Sequence, residues 1–127
     1  MKSKPTIVLL DDDKWITDLY SDKLKMEGFR VFVANNGKDG FKLIIEHRPD
    51  LVLTDIVMPK GDGFYVLKKI KETEEVKNVP VITLTNIASE HDKQQGIELG
   101  ACDYLMKAEN TPSQVVKKIR TVLKENC

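Results

Sequence analysis

Four short apolar runs in this chain each end on a side chain able to do chemistry. "TIVLL" runs into Asp11, Asp12 and Asp13, "DLVLTD" ends on Asp55, "PVITLT" ends on Thr85, and "CDYLM" is followed by Lys107. Three adjacent carboxylates are unfavourable together unless water or a cation neutralises them. Carboxylate oxygens suit a hard cation. Mg²⁺, which keeps several waters and takes only one or two protein carboxylates, fits better than a protein cage for Ca²⁺. Asp11 and Asp12 are the candidate ligands, whereas Asp13 either faces solvent or caps a helix beginning near Lys14. Taken singly, an acidic run at a helix start is usually a solvated cap, a lysine is usually a surface lysine, and Thr85 has ordinary strand propensity. They become a site only if the fold gathers them.

The elements needed to gather them are legible in the periodicity. The runs "TIVLL", "RVFVA", "DLVLTD", "PVITLT" and "CDYLM" are short and rich in β-branched or aromatic residues, as strands are. Between them apolar residues recur at helical spacing: Ile16, Leu19, Tyr20 and Leu24; Phe41, Ile44 and Ile45; Val66, Leu67 and Ile70; then Val115, Val116, Ile119, Val122 and Leu123. Gly28 and Gly100 suit left-handed helix ends, and "TPSQ" offers Thr111 as N-cap, Pro112 in the first turn and Gln114 closing a capping box. The segment "SEHDKQQGIELG" is the weakest helix, with only Ile97 and Leu99 as large apolar residues and Gly96 costing about 1 kcal/mol relative to alanine. "KETEEVKN" reads as a solvated helix end and loop.

Strand and helix alternating five times predict an α/β doubly wound parallel sheet, because parallel neighbours need right-handed crossovers. In such a sheet ligands bind beyond the carboxyl ends of the strands. Asp11, Asp12, Asp55, Thr85 and Lys107 then share one rim.

At 127 residues the chain has the length of one domain. Twenty basic residues balance twenty acidic ones, so no global field draws it to nucleic acid or anionic lipid. The first apolar run is too short for a signal peptide, and no membrane span is expected. Cys102 and Cys127 cannot build a disulfide framework; free thiols and a reducing cytoplasm are the expectation.

Through "VLLDDD", "DLVLTDIVMPKGDGF", "PVITLT" and "GACDYLMK", from about Thr6 to Leu123, the chain resembles the receiver domain of two-component response regulators. The resemblance implies one receiver domain over residues 1–127 with a core at about 6–124. It further implies a flavodoxin-like sheet in the order 2-1-3-4-5 with five helices. By position, Asp55 matches the phosphoacceptor, Asp11 and Asp12 the acidic pair that binds Mg²⁺, Thr85 the switch hydroxyl, Tyr104 the switch aromatic and Lys107 the site lysine. The backbone carbonyl of Val57 would be a further metal ligand. The donor would be a phosphohistidine on a sensor histidine kinase or a histidine phosphotransfer protein, and the output would be read on the fourth helix, fifth strand and fifth helix. Such a domain is a signalling module with self-catalysed phosphotransfer and autodephosphorylation, and it binds neither nucleic acid nor membrane itself. Its downstream partner, and whether it stands alone or is cut from a longer chain, are left open.

Two positions depart from the family pattern. The site lysine is commonly followed by proline, often across a cis bond; here Ala108 follows, and a cis bond to alanine costs about 3 to 4 kcal/mol, so a trans bond is expected. Asn86 replaces a small residue after Thr85, either narrowing the entrance or holding a water. Three other readings compete. A haloacid-dehalogenase-like phosphohydrolase needs a second aspartate where Val57 stands. A flavodoxin would have to bind phosphate at "DDDKW", which repels it. A degenerate receiver, binding without phosphorylation, sits poorly with a full set of reactive residues.

Overall fold

The structure is a computed structural model that describes residues 4–86, 89–125 and 127. Each expected run forms a strand: β1 Thr6–Leu10, β2 Arg30–Ala34, β3 Leu51–Thr54, β4 Val81–Thr85 and β5 Asp103–Met106. The helices are α1 Lys14–Met26, α2 Gly37–His47, α3 Gly63–Lys71, α4 Glu90–Glu98 and α5 Pro112–Glu125. All strand pairs are parallel, in the order β2-β1-β3-β4-β5. Leu10 pairs with Ala34 and Thr54, Thr54 with Thr83, and Thr85 with Met106, so the carboxyl ends finish on one edge.

Successive side chains of a strand point to opposite faces, and the core divides accordingly. Ile7, Leu9, Leu51, Leu53, Ile82 and Leu84 face one layer with Tyr20 and Leu24 of α1 and Val115 and Ile119 of α5. Val8, Leu10, Val52 and Val81 face the other, with Ile44 of α2 and Val66, Leu67 and Ile70 of α3. The three central strands are therefore buried on both faces, as parallel strands under helices must be.

Local signals terminate the helices as expected. Gly28 and Gly100 take left-handed backbones (φ 95° and 101°), where a side chain would be strained. Asp13 caps α1 by accepting from the Trp15 amide at 2.9 Å while staying exposed. Thr111 and Gln114 form the capping box of α5, Gln114 N donating to Thr111 Oγ1 at 3.2 Å and Thr111 N to Gln114 Oε1 at 2.7 Å.

The structure corrects the sequence reading in several places. Leu19 and Ile45 are 38% and 37% exposed, at the edges of their stripes rather than over the sheet. Val76, within the supposedly solvated "KETEEVKN", is buried in the α2/α3 layer. Cys102 and Cys127 are not free thiols: α5 carries the chain end back beside the start of β5, the two Cα atoms come within 5.3 Å, and the sulfurs are bonded. The thiol-based argument for a reducing compartment thereby loses its premise. No helix among the described residues is long and apolar enough to cross a membrane.

Candidate functional site

Asp55 leaves the end of β3 with its backbone held by β1 and by its own strand. Its amide donates to the Leu10 carbonyl at 2.8 Å, and the Thr54 hydroxyl donates to its carbonyl at 2.9 Å. Its carboxylate is oriented locally, because the Ile56 amide donates to Oδ1 at 2.6 Å. The turn that presents this amide is closed by Gly63, whose own amide donates to the Ile56 carbonyl at 2.7 Å. A Cβ on Gly63 would lie 2.5 Å from the Asp55 carbonyl oxygen, so only glycine lets α3 begin this close to the site.

Asp11 is positioned in the same manner one strand away. Its amide donates to the Ala34 carbonyl at 3.2 Å, and its Oδ1 accepts from the Asp13 amide at 2.9 Å. Lys107 then bridges the two acids from the far side of the sheet, its Nζ lying 2.7 Å from Asp11 Oδ2 and 3.0 Å from Asp55 Oδ2. Burial by itself would push the Lys107 pKa down, but hydrogen bonds to Asp11 and Asp55 and their charges hold it above the ordinary lysine value. For Asp11, burial dominates and raises the carboxyl pKa, against the Lys107 and Asp13 hydrogen bonds that lower it; the Asp55 charge adds to the rise. The 3-10 turn Lys107–Glu109 delivers the lysine, pinned by Asn110 Nδ2 donating to the Met106 carbonyl at 2.9 Å. No cis peptide bond is present among the described residues, so the Lys107 to Ala108 bond is trans as expected.

Three carboxylates meet the requirement for a hard cation. Asp11, Asp12 and Asp55 each offer one oxygen, and these oxygens lie within 4.8 Å of one another. Asp12 is exposed while the other two are buried, which leaves an open side where water could complete an Mg²⁺ shell. A shallow cleft of about 200 Å³ is lined by these acids together with Val57, Thr85, Asn86 and Lys107. Every residue expected on the rim is therefore brought to one opening.

Tyr104, which the resemblance assigns to a switch and not to the rim, lies apart from the cleft. It sits on β5 outside that cleft and is 8% exposed, its ring against Gly96 of α4, where an added Cβ would come 3.2 Å from Cδ2. Burial chiefly raises its phenol pKa, with smaller contributions from the charges of Asp92 and Asp55. The ring is buried next to a second cavity of about 350 Å³ lined by α4, β5, the loop at Glu109 and Asn110, and Lys118 of α5. The site groups that the sequence reading did not name are the amides of Ile56 and Asp13. Backbone donors carry no residue-type signature, so nothing in the sequence marks them.

The family model of the response regulator receiver domain matches residues 7–120. The chain is 42% identical over 120 residues to the transcriptional regulatory protein CpxR of Escherichia coli, covering 94% of this chain and 50% of that protein. To the DNA-binding dual master transcriptional regulator RpaA of Synechocystis it is 37% identical over 120 residues, covering 94% and 49%. The chain thus spans about half the length of these curated relatives. A CheY-like receiver domain protein from Methanospirillum hungatei superposes with a TM-score of 0.90 at 29% identity, covering 98% of this chain and 97% of that one.

Proposed function

The chain belongs to the response regulator receiver domain family, and from that premise we propose that Asp55 accepts a phosphoryl group in an Mg²⁺-dependent step. The donor is a phosphohistidine on a sensor histidine kinase or a histidine phosphotransfer protein. The observation that carries this reading is the setting of one carboxylate: Asp55 is held by an amide on Oδ1 and by Lys107 on Oδ2, beside two further acids.

An Asp55 oxygen attacks phosphorus, a phosphorus–oxygen bond forms, and the phosphorus–nitrogen bond breaks with its electron pair returning to the imidazole. Phosphoryl transfer needs chiefly positioning and neutralisation of charge. Mg²⁺ held by Asp11, Asp12, Asp55 and the Val57 carbonyl would supply much of that neutralisation. Lys107 already lies at Asp55 and turns its ammonium to the incoming phosphoryl oxygens, as a compact cation can. Thr85, buried on the same cleft, donates its hydroxyl to another of them. The aspartyl phosphate adds about −1.5 to −2 of charge and three acceptor oxygens. Drawing Thr85 toward it alters the packing around Tyr104 and the face formed by α4, β5 and α5.

Incubation with acetyl phosphate and Mg²⁺, followed by intact-mass measurement, is expected to give one labile phosphoryl adduct. Asp55→Asn should abolish it and Asp12→Ala should slow it. Undiminished labelling of Asp55→Asn overturns the acceptor assignment, and a wild-type chain that never labels is a binding module instead. Beryllofluoride with Mg²⁺ should change amide exchange between Asn86 and Met106. An unchanged pattern at a saturated site, or an intact response in Thr85→Ala, overturns the relay.

A further inference from the structure

Cys102 and Cys127 join the two ends of the last structural unit of the fold. Cys102 stands just before β5, its amide donating to the Val81 carbonyl at 2.7 Å, and its side chain packs on the α1/α5 layer of the core. Cys127 comes after α5, is exposed, and lies 25 residues further along the chain. The bond is at the end of the sheet opposite the acidic cleft, because β5 runs from Cys102 toward Lys107.

The bond holds a short stretch of chain. The buried residues that fix α5 are Val115, Val116, Ile119 and Val122, whereas Lys124 and Glu125 in its last turn are exposed and Leu123 is only partly covered. Core packing thus anchors α5 up to Leu123, and the link to Cys102 tethers the exposed end of the helix at Lys124 and Glu125. One sulfur sits on an exposed residue and the other on a partly covered one, so the bond is open to attack by a small thiolate without unfolding the core.

We infer that Cys102 and Cys127 form a reversible thiol–disulfide clip that fastens or frees the last turn of α5 according to the state of low-molecular-weight thiols and disulfides. Closure proceeds by exchange. The Cys127 thiolate attacks a small disulfide, forming a mixed disulfide and expelling one small thiolate; the Cys102 thiolate then attacks the Cys127 sulfur and expels the second. Two protein thiols are oxidised, one small disulfide is reduced to two thiols, and the two protons end on those thiols. Opening is the reverse.

The test compares the same chain treated with dithiothreitol or with oxidised glutathione, then alkylated. Glutathione should leave a monomer lighter by two hydrogens, unalkylated and carrying no glutathione; reduction should restore two alkylatable thiols. Reduction should lower Tm by roughly 5 to 10 °C. It should also speed amide exchange at residues 120–125 about tenfold or more while β3 and β4 stay protected, as expected for local opening. Cys127→Ser, an exposed change, should remove the difference between the two states, and Cys102→Ser should do the same. Asp55→Asn should open and close the clip like the wild type, so the clip can fail or stand independently of the phosphoacceptor reading. Disulfide-linked dimers, a stable glutathione adduct, or identical Tm and exchange in both states would overturn it.

Discussion

The helices on either side of β5 in the chain are anchored by different physics. α5 buries Val115, Val116, Ile119 and Val122 and begins with a reciprocal capping box. Each such side chain contributes about 1.5 to 3 kcal/mol by leaving water. α4 buries only Gly96, which has no side chain to bury, and leaves Ile97 44% exposed. Its support is local: the Ser89 cap, a Gln94–Glu98 hydrogen bond of 3.1 Å, and acids in the first turn that favour the helix dipole by a few tenths of a kcal/mol each. A helix held by burial moves only by breaking the core. One held by its own turns can shift against a sheet at little cost, and α4 is the element against which Tyr104 packs.

The largest test of this contrast is paired. Ile119→Ala, at a fully buried position, should cost about 2 to 5 kcal/mol in urea unfolding. Ile97→Ala should change stability by no more than about 0.5 kcal/mol. Similar losses at the two positions would show that α4 is anchored after all.

Thr111→Ala, which opens the α5 capping box, should cost about 1 kcal/mol on the same measurement. A neutral result would mean that packing alone defines the start of α5. Gly96→Ala sets two effects against each other. Alanine gains about 1 kcal/mol of helix propensity, and its Cβ would sit 3.2 Å from the Tyr104 ring. Net stability should therefore move by less than about 1 kcal/mol while the Tyr104 ring signals shift in NMR spectra; unshifted signals would remove Gly96 as the seat of that ring.

The smallest effect lies at the outer face of α5. Arg120 reaches α1 and donates to Glu27 Oε1 at 3.0 Å. That hydrogen bond, with Lys23, holds the Glu27 carboxyl below its ordinary pKa. A lowered folded pKa adds stability above the unfolded value of 4.5 and loses it as pH falls through the folded value. Arg120→Ala should raise the Glu27 titration midpoint in NMR and flatten that acid-side loss, with less effect in high salt. An unmoved midpoint would assign the shift to Lys23.

The three central strands are legible because a strand buried on both faces writes itself as a short apolar run, while the edge strand β2, with Val33 42% exposed, is legible from its β-branched and aromatic residues. The rim residues could be placed from where those runs stop. Leu19 and Ile45 were misplaced because helical spacing identifies a stripe but not its width. Val76 was hidden because one buried valine among charges has no period. The meeting of Cys102 and Cys127 depends on how far α5 carries the chain across the sheet, a tertiary distance that no local pattern encodes. The amides that orient Asp11 and Asp55 were likewise invisible, since every residue but proline has one.

Lys107 comes from the turn that follows the last strand, yet its partners Asp55 and Asp11 lie 52 and 96 residues earlier in the chain. During synthesis the acids leave the ribosome well before their cation, since chains emerge from the N-terminus. Until β5 is added, burying Asp11 would leave a carboxylate without its partner, a defect that costs about 3 to 5 kcal/mol when one member of a buried pair is removed. The closing segment of the fold therefore brings the cation that two much earlier acids share, and the charge balance of the rim depends on the end of the domain being in place.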